Sequence, residues 1–247
     1  MVTTINDLQR RNKNGQHKGM VVELVGPAGV GKSTLFRALR QKELPWLLCQ
    51  YVPPVWSISY APFYIINILM LIPYLVRLIG NGDRLLNRRE LAFMAILNGW
   101  HEILRKEVAN SNKIIVLDQG PISIMAYLRV WGPQSLFYSN MQAWWEKVYG
   151  KWMEALSMVV MLDTSDEKVI WRINNRPQGH HLKGESNNIV LEWLYRYRVL
   201  YEQIVGRLSP NSHGIRVVRI DSGNNSVDEI MEKVFHEFHF TGGKVNQ

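Results

Sequence analysis

Along the chain, short apolar runs alternate with longer stretches in which apolar positions recur every three or four residues. The runs at 20–25, 113–117, 158–162 and 215–220, with a weaker one at 47–52, have the length of buried strands. Between them, Leu35, Phe36 and Leu39 fall at helical spacing over 34–44. Met141, Trp145, Val148, Trp152 and Leu156 share one helical face, as do Leu194, Tyr197, Tyr201, Ile204 and Leu208. Thr164 with Glu167, and Ser226 with Glu229, have capping-box spacing and predict helix starts after the fourth and fifth strands. Alternating strands and helices predict an α/β fold whose parallel sheet is covered on both faces, with ligands at the carboxyl ends of the strands. The expected organisation is one domain over 19–240, with a polar basic leader at 1–18 and a short tail at 241–247.

Composition narrows the field. A 47% hydrophobic content and nine tryptophans exclude a largely disordered chain. The tryptophans also leave room for an apolar homodimer interface. The single cysteine, Cys49, cannot form an internal disulfide, and the first eighteen residues lack the apolar core of a secretory signal, so a cytoplasmic location is expected. The net charge of +8 suits polyphosphate, nucleic acid or an anionic membrane surface. Nucleic acid is the minor reading, because the basic residues lack the interleaved aromatics of a recognisable RNA module.

The sharpest chemical signal follows the first strand: Gly26, Pro27, Ala28, Gly29, Val30, Gly31, Lys32, Ser33, Thr34. This is the P-loop spacing, between a strand and a helix as that pattern requires. Glycines allow positive φ and close approach to an anion, and the amide groups at the following helix start point at phosphate oxygens. Lys32 is expected along the β- and γ-phosphates, Ser33 on Mg²⁺ and Thr34 beside the α-phosphate. ATP and Mg²⁺ are therefore the expected cofactors.

Asp118, where the third strand leaves the sheet in "VLDQGP", can hold Mg²⁺ through its water or take a proton from an acceptor hydroxyl. Arg172 and Arg176, four apart, are expected on one helix face. Beyond them Pro177 and Gly179 break the helix into a polar segment with His180, His181 and Lys183. Residues 172–186 are read as a lid that excludes water and brings guanidinium charge to the transferring phosphoryl group. The adjacent histidines are expected to point apart on an extended segment, with no third ligand at metal spacing.

Together the Gly26 to Thr34 loop, "VLDQGP", "RINNR" and "IDSGNNS" resemble the P-loop nucleoside and nucleotide kinases, thymidylate kinase in particular. The resemblance implies a three-layer P-loop NTPase sandwich with a five-stranded parallel sheet in order 2-3-1-4-5, and transfer of the γ-phosphoryl group of ATP to a small acceptor. It also implies Arg172 against adenine, Arg176 toward the phosphates and the loop 221–226 beside the base. Thymidylate kinases carry Arg-Glu-Pro after the second strand and Asp-Arg with an aromatic after the third. Here the chain has "YVPPV" and Asp118, Gln119, Gly120, so two charged groups that grip a nucleotide acceptor are missing. Thymidine monophosphate is therefore not the expected acceptor.

A hydroxyl of a sugar, a lipid-linked glycan or another metabolite fits better, with Asp118 as base. Arg84, Arg88, Arg89, Glu90 and Gln119 are the candidate acceptor contacts, in or beside a helical insertion at about 55–110. A regulatory NTPase that transfers phosphate only to water and a nucleic-acid 5′-hydroxyl kinase are the alternatives. From 45 to 76 there is no charged residue. Three readings of "YAPFYIINILMLIPYLV" stay open: a wall of the acceptor pocket, a helix lying on a membrane surface, and a span. Length, Pro62, Asn67 and Pro73 weigh against the span. Arg77, Arg84, Arg88 and Arg89 follow as they would beside an anionic surface.

Overall fold

The computed structural model describes residues 19–240 except 56, 80–83, 178 and 210–213. The leader and the tail lie outside the described residues. Five strands, β1 (Met20–Val25), β2 (Leu47–Tyr51), β3 (Ile114–Asp118), β4 (Met158–Asp163) and β5 (Arg216–Asp221), form one parallel sheet in the order β2-β3-β1-β4-β5. The helices are α1 (Lys32–Gln41), α2 (Ala61–Ile79), α3 (Arg88–Ser111), α4 (Pro121–Trp131), α5 (Gln142–Ala155), α6 (Asp166–Asn175), α7 (Asn187–Leu208) and α8 (Val227–Phe240).

The side-chain alternation of the strands divides the core in two. Val21, Val25, Ile115, Leu117 and Val159 face one cluster, completed by residues of α2, α3, α4, α5 and α7. Met20, Val22, Leu24, Ile114, Val116, Met158, Val160 and Leu162 face the other, with α1, α6 and α8. Each buried aliphatic side chain contributes about 1.5–3 kcal/mol by leaving water, which is why short strands of this kind are specified so firmly. One position breaks the rule: Glu23, on the first of these faces of β1, is wholly buried.

The register places the site. Leu24 of β1 pairs with Asp118 of β3, and Val25 with Met161 of β4, so the loop after β1 and the acid that ends β3 emerge side by side. The strands thus bring together residues far apart in the chain.

The helix starts differ in part from the sequence expectation. Ser226 and Glu229 form the expected box, with Ser226 N donating to Glu229 Oε2 at 2.6 Å and Glu229 N to Ser226 Oγ at 3.2 Å. The box at Thr164 does not form. Ser165 is the N-cap of α6 and makes no side-chain cap, so Glu167 falls at the second helical position, one short of where its carboxylate could reach back. A second box, not expected from the sequence, starts α3: Glu90 N donates to Asn87 Oδ1 and Asn87 N to Glu90 Oε2, both at 2.9 Å.

Candidate active site

The loop between β1 and α1 turns through three glycines of positive φ, Gly26 at 144°, Gly29 at 88° and Gly31 at 98°. At Gly26 the requirement is also steric. A Cβ there would lie 2.2 Å from the carbonyl oxygen of Leu162, so the loop packs on the end of β4 in a way no side chain permits. α1 then starts without a side-chain cap and without an acid in its first turn, which leaves its dipole and first amides to an anion.

A cleft of about 780 Å³ opens over this turn, lined by 28–35 of the loop and α1, by Asp118 and Gln119, by Arg172, Arg176, Pro177 and His180, and by Ser222, Asn225, Ser226, Val227 and Ile230. Four cationic side chains, Lys32, Arg37, Arg172 and Arg176, face it with one carboxylate, Asp118. Such a balance favours a polyanion. Lys32 Nζ donates to the carbonyls of Gly26 at 2.5 Å and Pro27 at 2.8 Å, and burial pushes its pKa down to about 8 against the pull of Asp118.

Ser33 Oγ donates to Asp118 Oδ2 at 3.2 Å, while the buried Asp118 Oδ1 has no partner. Burial raises the pKa of Asp118, opposed by Lys32, Ser33 and Arg37. An orphaned carboxylate oxygen beside a serine hydroxyl is a hard, oxygen-only donor set, and it fits Mg²⁺.

The two arginines reach the cleft by different routes. Arg172 lies on α6, and its Nη1 donates to Gly29 O at 3.3 Å and its Nη2 to Ser222 O at 3.0 Å, tying the loop to the turn after β5. Ser222 Oγ adds a bond to Val30 O at 2.6 Å. Arg176 is already in extended backbone, because α6 ends at Asn175, so the expected shared helix face is not formed although both side chains line the cleft. Lys183 Nζ donates to Arg176 O at 2.8 Å and holds the segment closed on itself.

The histidines do not point apart. Residues 181–184 form a turn, not an extended strand, and the rings of His180 and His181 stack at 4.4 Å. His180 lines the cleft, where burial, then His181, Arg176 and Lys32, lower its pKa to about 4, so it stays neutral there. His181, stacked on it, meets Trp131 and Trp193 edge-on.

Of the candidate acceptor contacts, only Gln119 lines the cleft, held at a positive φ of 62°. Glu90 is buried and committed to the α3 cap and to Arg84, whose Nη1 and Nη2 donate to it at 2.8 and 2.6 Å. Its carboxylate is therefore a structural one. Arg89 lies over the rings of Tyr127 and Phe93, and Arg88 is exposed on the first turn of α3. Of the loop 221–226, Ser222, Asn225 and Ser226 line the cleft, while the Asp221 carboxylate braces the turn by accepting from Gly223 N and Asn224 Nδ2.

Glu23 escaped the sequence reading. Its oxygens accept from Ile122 N and Ser123 N, both at 2.9 Å, so a carboxylate on β1 caps the N-terminus of α4. The clue was present in the sequence as an acid inside an apolar run. A second cavity of about 480 Å³ lies behind Gly26 and Pro27, and its arginines are already paired: Arg198 with Asp163 and Asp166, Arg219 with Glu202. The cleft over the glycine turn, where four cationic side chains meet the half-paired Asp118, is the one suited to a polyanion.

No protein-family model matches this sequence, and no curated protein matches it significantly. Solved structures do match. Thymidylate kinase from Candida albicans superposes with a TM-score of 0.55 at 14% identity, over 93% of this chain and 96% of that one. A deoxyadenosine kinase from M. mycoides with bound dATP gives 0.49 at 16% identity, over 88% and 98%. A Bacillus subtilis protein in complex with phosphorylated GDP gives 0.48 at 16%, over 92% and 99%. The sheet order, the loop after β1 and the first of these superpositions agree: the chain has the thymidylate kinase fold.

Proposed function

We propose that the protein is an ATP-dependent kinase that transfers the γ-phosphoryl group to a small-molecule acceptor. The observation that carries this reading is the meeting of Lys32, Ser33 and the half-paired Asp118 at the mouth of the glycine turn. The fold shared with a thymidylate kinase supports it.

In this reading the amides of the turn and the start of α1 bind the phosphates, and Lys32 leaves the carbonyls of Gly26 and Pro27 for the β- and γ-phosphate oxygens. Ser33 and Asp118 would hold Mg²⁺, which would supply positive charge to neutralise the phosphates. The base lies toward Arg172 and the turn at Ser222 and Asn225. Arg176 places positive charge near the transferring group, and neutral His180 packs above it without adding charge.

The acceptor approaches from the side of Gln119. A hydroxyl acceptor is favoured over a monophosphate, because Gln119 and Gly120 offer no cation to a second dianion. The test is a screen with γ-labelled ATP against nucleosides, nucleoside monophosphates, sugars and lipid extracts, with Lys32→Ala protein as control. Label should appear in one acceptor class; label released only as free phosphate would replace the kinase with an NTPase.

A further inference from the structure

α2 is built the opposite way round from a helix on the surface of a soluble domain. Its Asn67 amide and Tyr64 hydroxyl point inward. The buried Asn67 accepts from Asn98 Nδ2 of α3 at 2.9 Å and donates to Phe63 O at 2.9 Å, and the Tyr64 hydroxyl donates to Pro53 O at 2.6 Å. Gly99 of α3 makes the room, since a Cβ there would lie 2.2 Å from Asn67 Oδ1. The outward side is apolar: Ile65, Ile66, Leu69, Met70, Ile72 and Val76 are each between 46% and 63% exposed. With about 3.6 residues per turn these six positions lie on one continuous arc of the helix.

Contiguous exposed apolar surface of this kind marks a docking face. Its charges identify what docks. Between Glu43 and Asp83 the chain has no acidic residue, Arg77 stands exposed at the end of the arc, and the whole chain carries +8. A second copy would bring the same arginine and the same net charge to a self-complementary contact. An anionic bilayer brings the opposite charge and an apolar interior. The inward bonds of Asn67 and Tyr64 to the rest of the domain tell against a span, which would have to break them. We propose that the outward face of α2 docks the protein on an anionic lipid bilayer, the helix lying in the headgroup plane with Arg77 at its rim. The proposal does not depend on the kinase reading.

The test is sedimentation of the full chain with phosphatidylcholine vesicles, with and without phosphatidylglycerol. Wild-type protein should partition roughly tenfold or more in favour of the anionic vesicles, less so at high salt. Ile65→Glu/Leu69→Glu should lower that partition at least tenfold and Arg77→Glu severalfold, with unchanged melting temperature and unchanged affinity for Mg-ATP. Should the double variant fold poorly, Met70→Cys carrying an environment-sensitive dye, in a Cys49→Ser background, replaces it as a reporter: the dye's emission should shift to the blue only with anionic vesicles. Equal sedimentation of wild type and double variant, absence of a lipid preference, or an unshifted reporter would overturn the proposal. So would a wild-type dimer by light scattering that the double variant makes monomeric without any vesicle binding, which would assign the face to a second copy.

Discussion

The hydroxyl of Ser33, in the first turn of α1, donates to Asp118 Oδ2 at the end of β3 at 3.2 Å across 85 positions of sequence, and leaves Asp118 Oδ1 without a partner. The two oxygens form a half-made site that a divalent cation would complete. Ser33→Ala and Asp118→Asn should each weaken ATP binding in magnesium by roughly tenfold or more, and leave binding in chelator unchanged. Calorimetry in the two buffers measures the difference, and an equal loss in both would assign the pair to phosphate contact instead.

Lys32 should matter for catalysis far more than for folding. Its ammonium bonds only two loop carbonyls, both of which water can satisfy once the side chain is gone. Lys32→Ala is expected to lower transfer by roughly 10²–10³-fold or more while the melting curve hardly moves.

The same lysine gives ATP binding an alkaline limit. Its pKa in the free protein lies near 8, and the phosphates bind its charged form. Apparent affinity should therefore hold below pH 8 and fall above it, toward tenfold per pH unit, in wild type but not in Lys32→Ala. Binding measured from pH 7 to 9 checks this.

Glu23 should tie stability to pH. Burial raises its pKa from 4.5 to about 7 against the two amide bonds, so the folded protein binds this proton more tightly than the unfolded chain does. The sign follows: its contribution is complete below pH 4.5 and is lost as pH rises through 7, a decline on the order of 3 kcal/mol at most. Glu23→Gln should flatten that slope in melting temperature between pH 4.5 and 7. A slope unchanged in the variant would show that the carboxyl is not the group responsible.

Gly120 is tied to Glu23 by space rather than by backbone angle. Its φ of −73° suits any residue, yet a Cβ would fall 2.7 Å from Glu23 Cδ. Gly120→Ala should cost about 1–3 kcal/mol by displacing the carboxylate from the start of α4. Adding Glu23→Ala should recover part of that loss, a coupling that a double-mutant cycle in denaturant would reveal.

Several features were legible in the residues because they depend on neighbours in the chain. The strands were found within a residue or two, since each is an apolar run whose exposure would be costly, and the phosphate turn was readable because its glycine spacing is a backbone requirement. The sheet order, expected from the resemblance, is the order observed. Thr164 misled because one residue of slippage at the start of α6 decides whether an acid reaches back. The two histidines misled because the segment turns.

What the amino-acid sequence determined by itself was local: where strands and helices form, and that one turn cradles an anion. Tertiary structure alone decided that Asp118 meets Ser33, that Glu23 caps a helix about a hundred residues away, that Glu90 is committed to a cap, and that α2 turns its asparagine in and its isoleucines out. The physical reason is common to all four. A side chain's type limits what it can bond, but only the packing of distant elements settles which partner, protein or solvent, stands within reach.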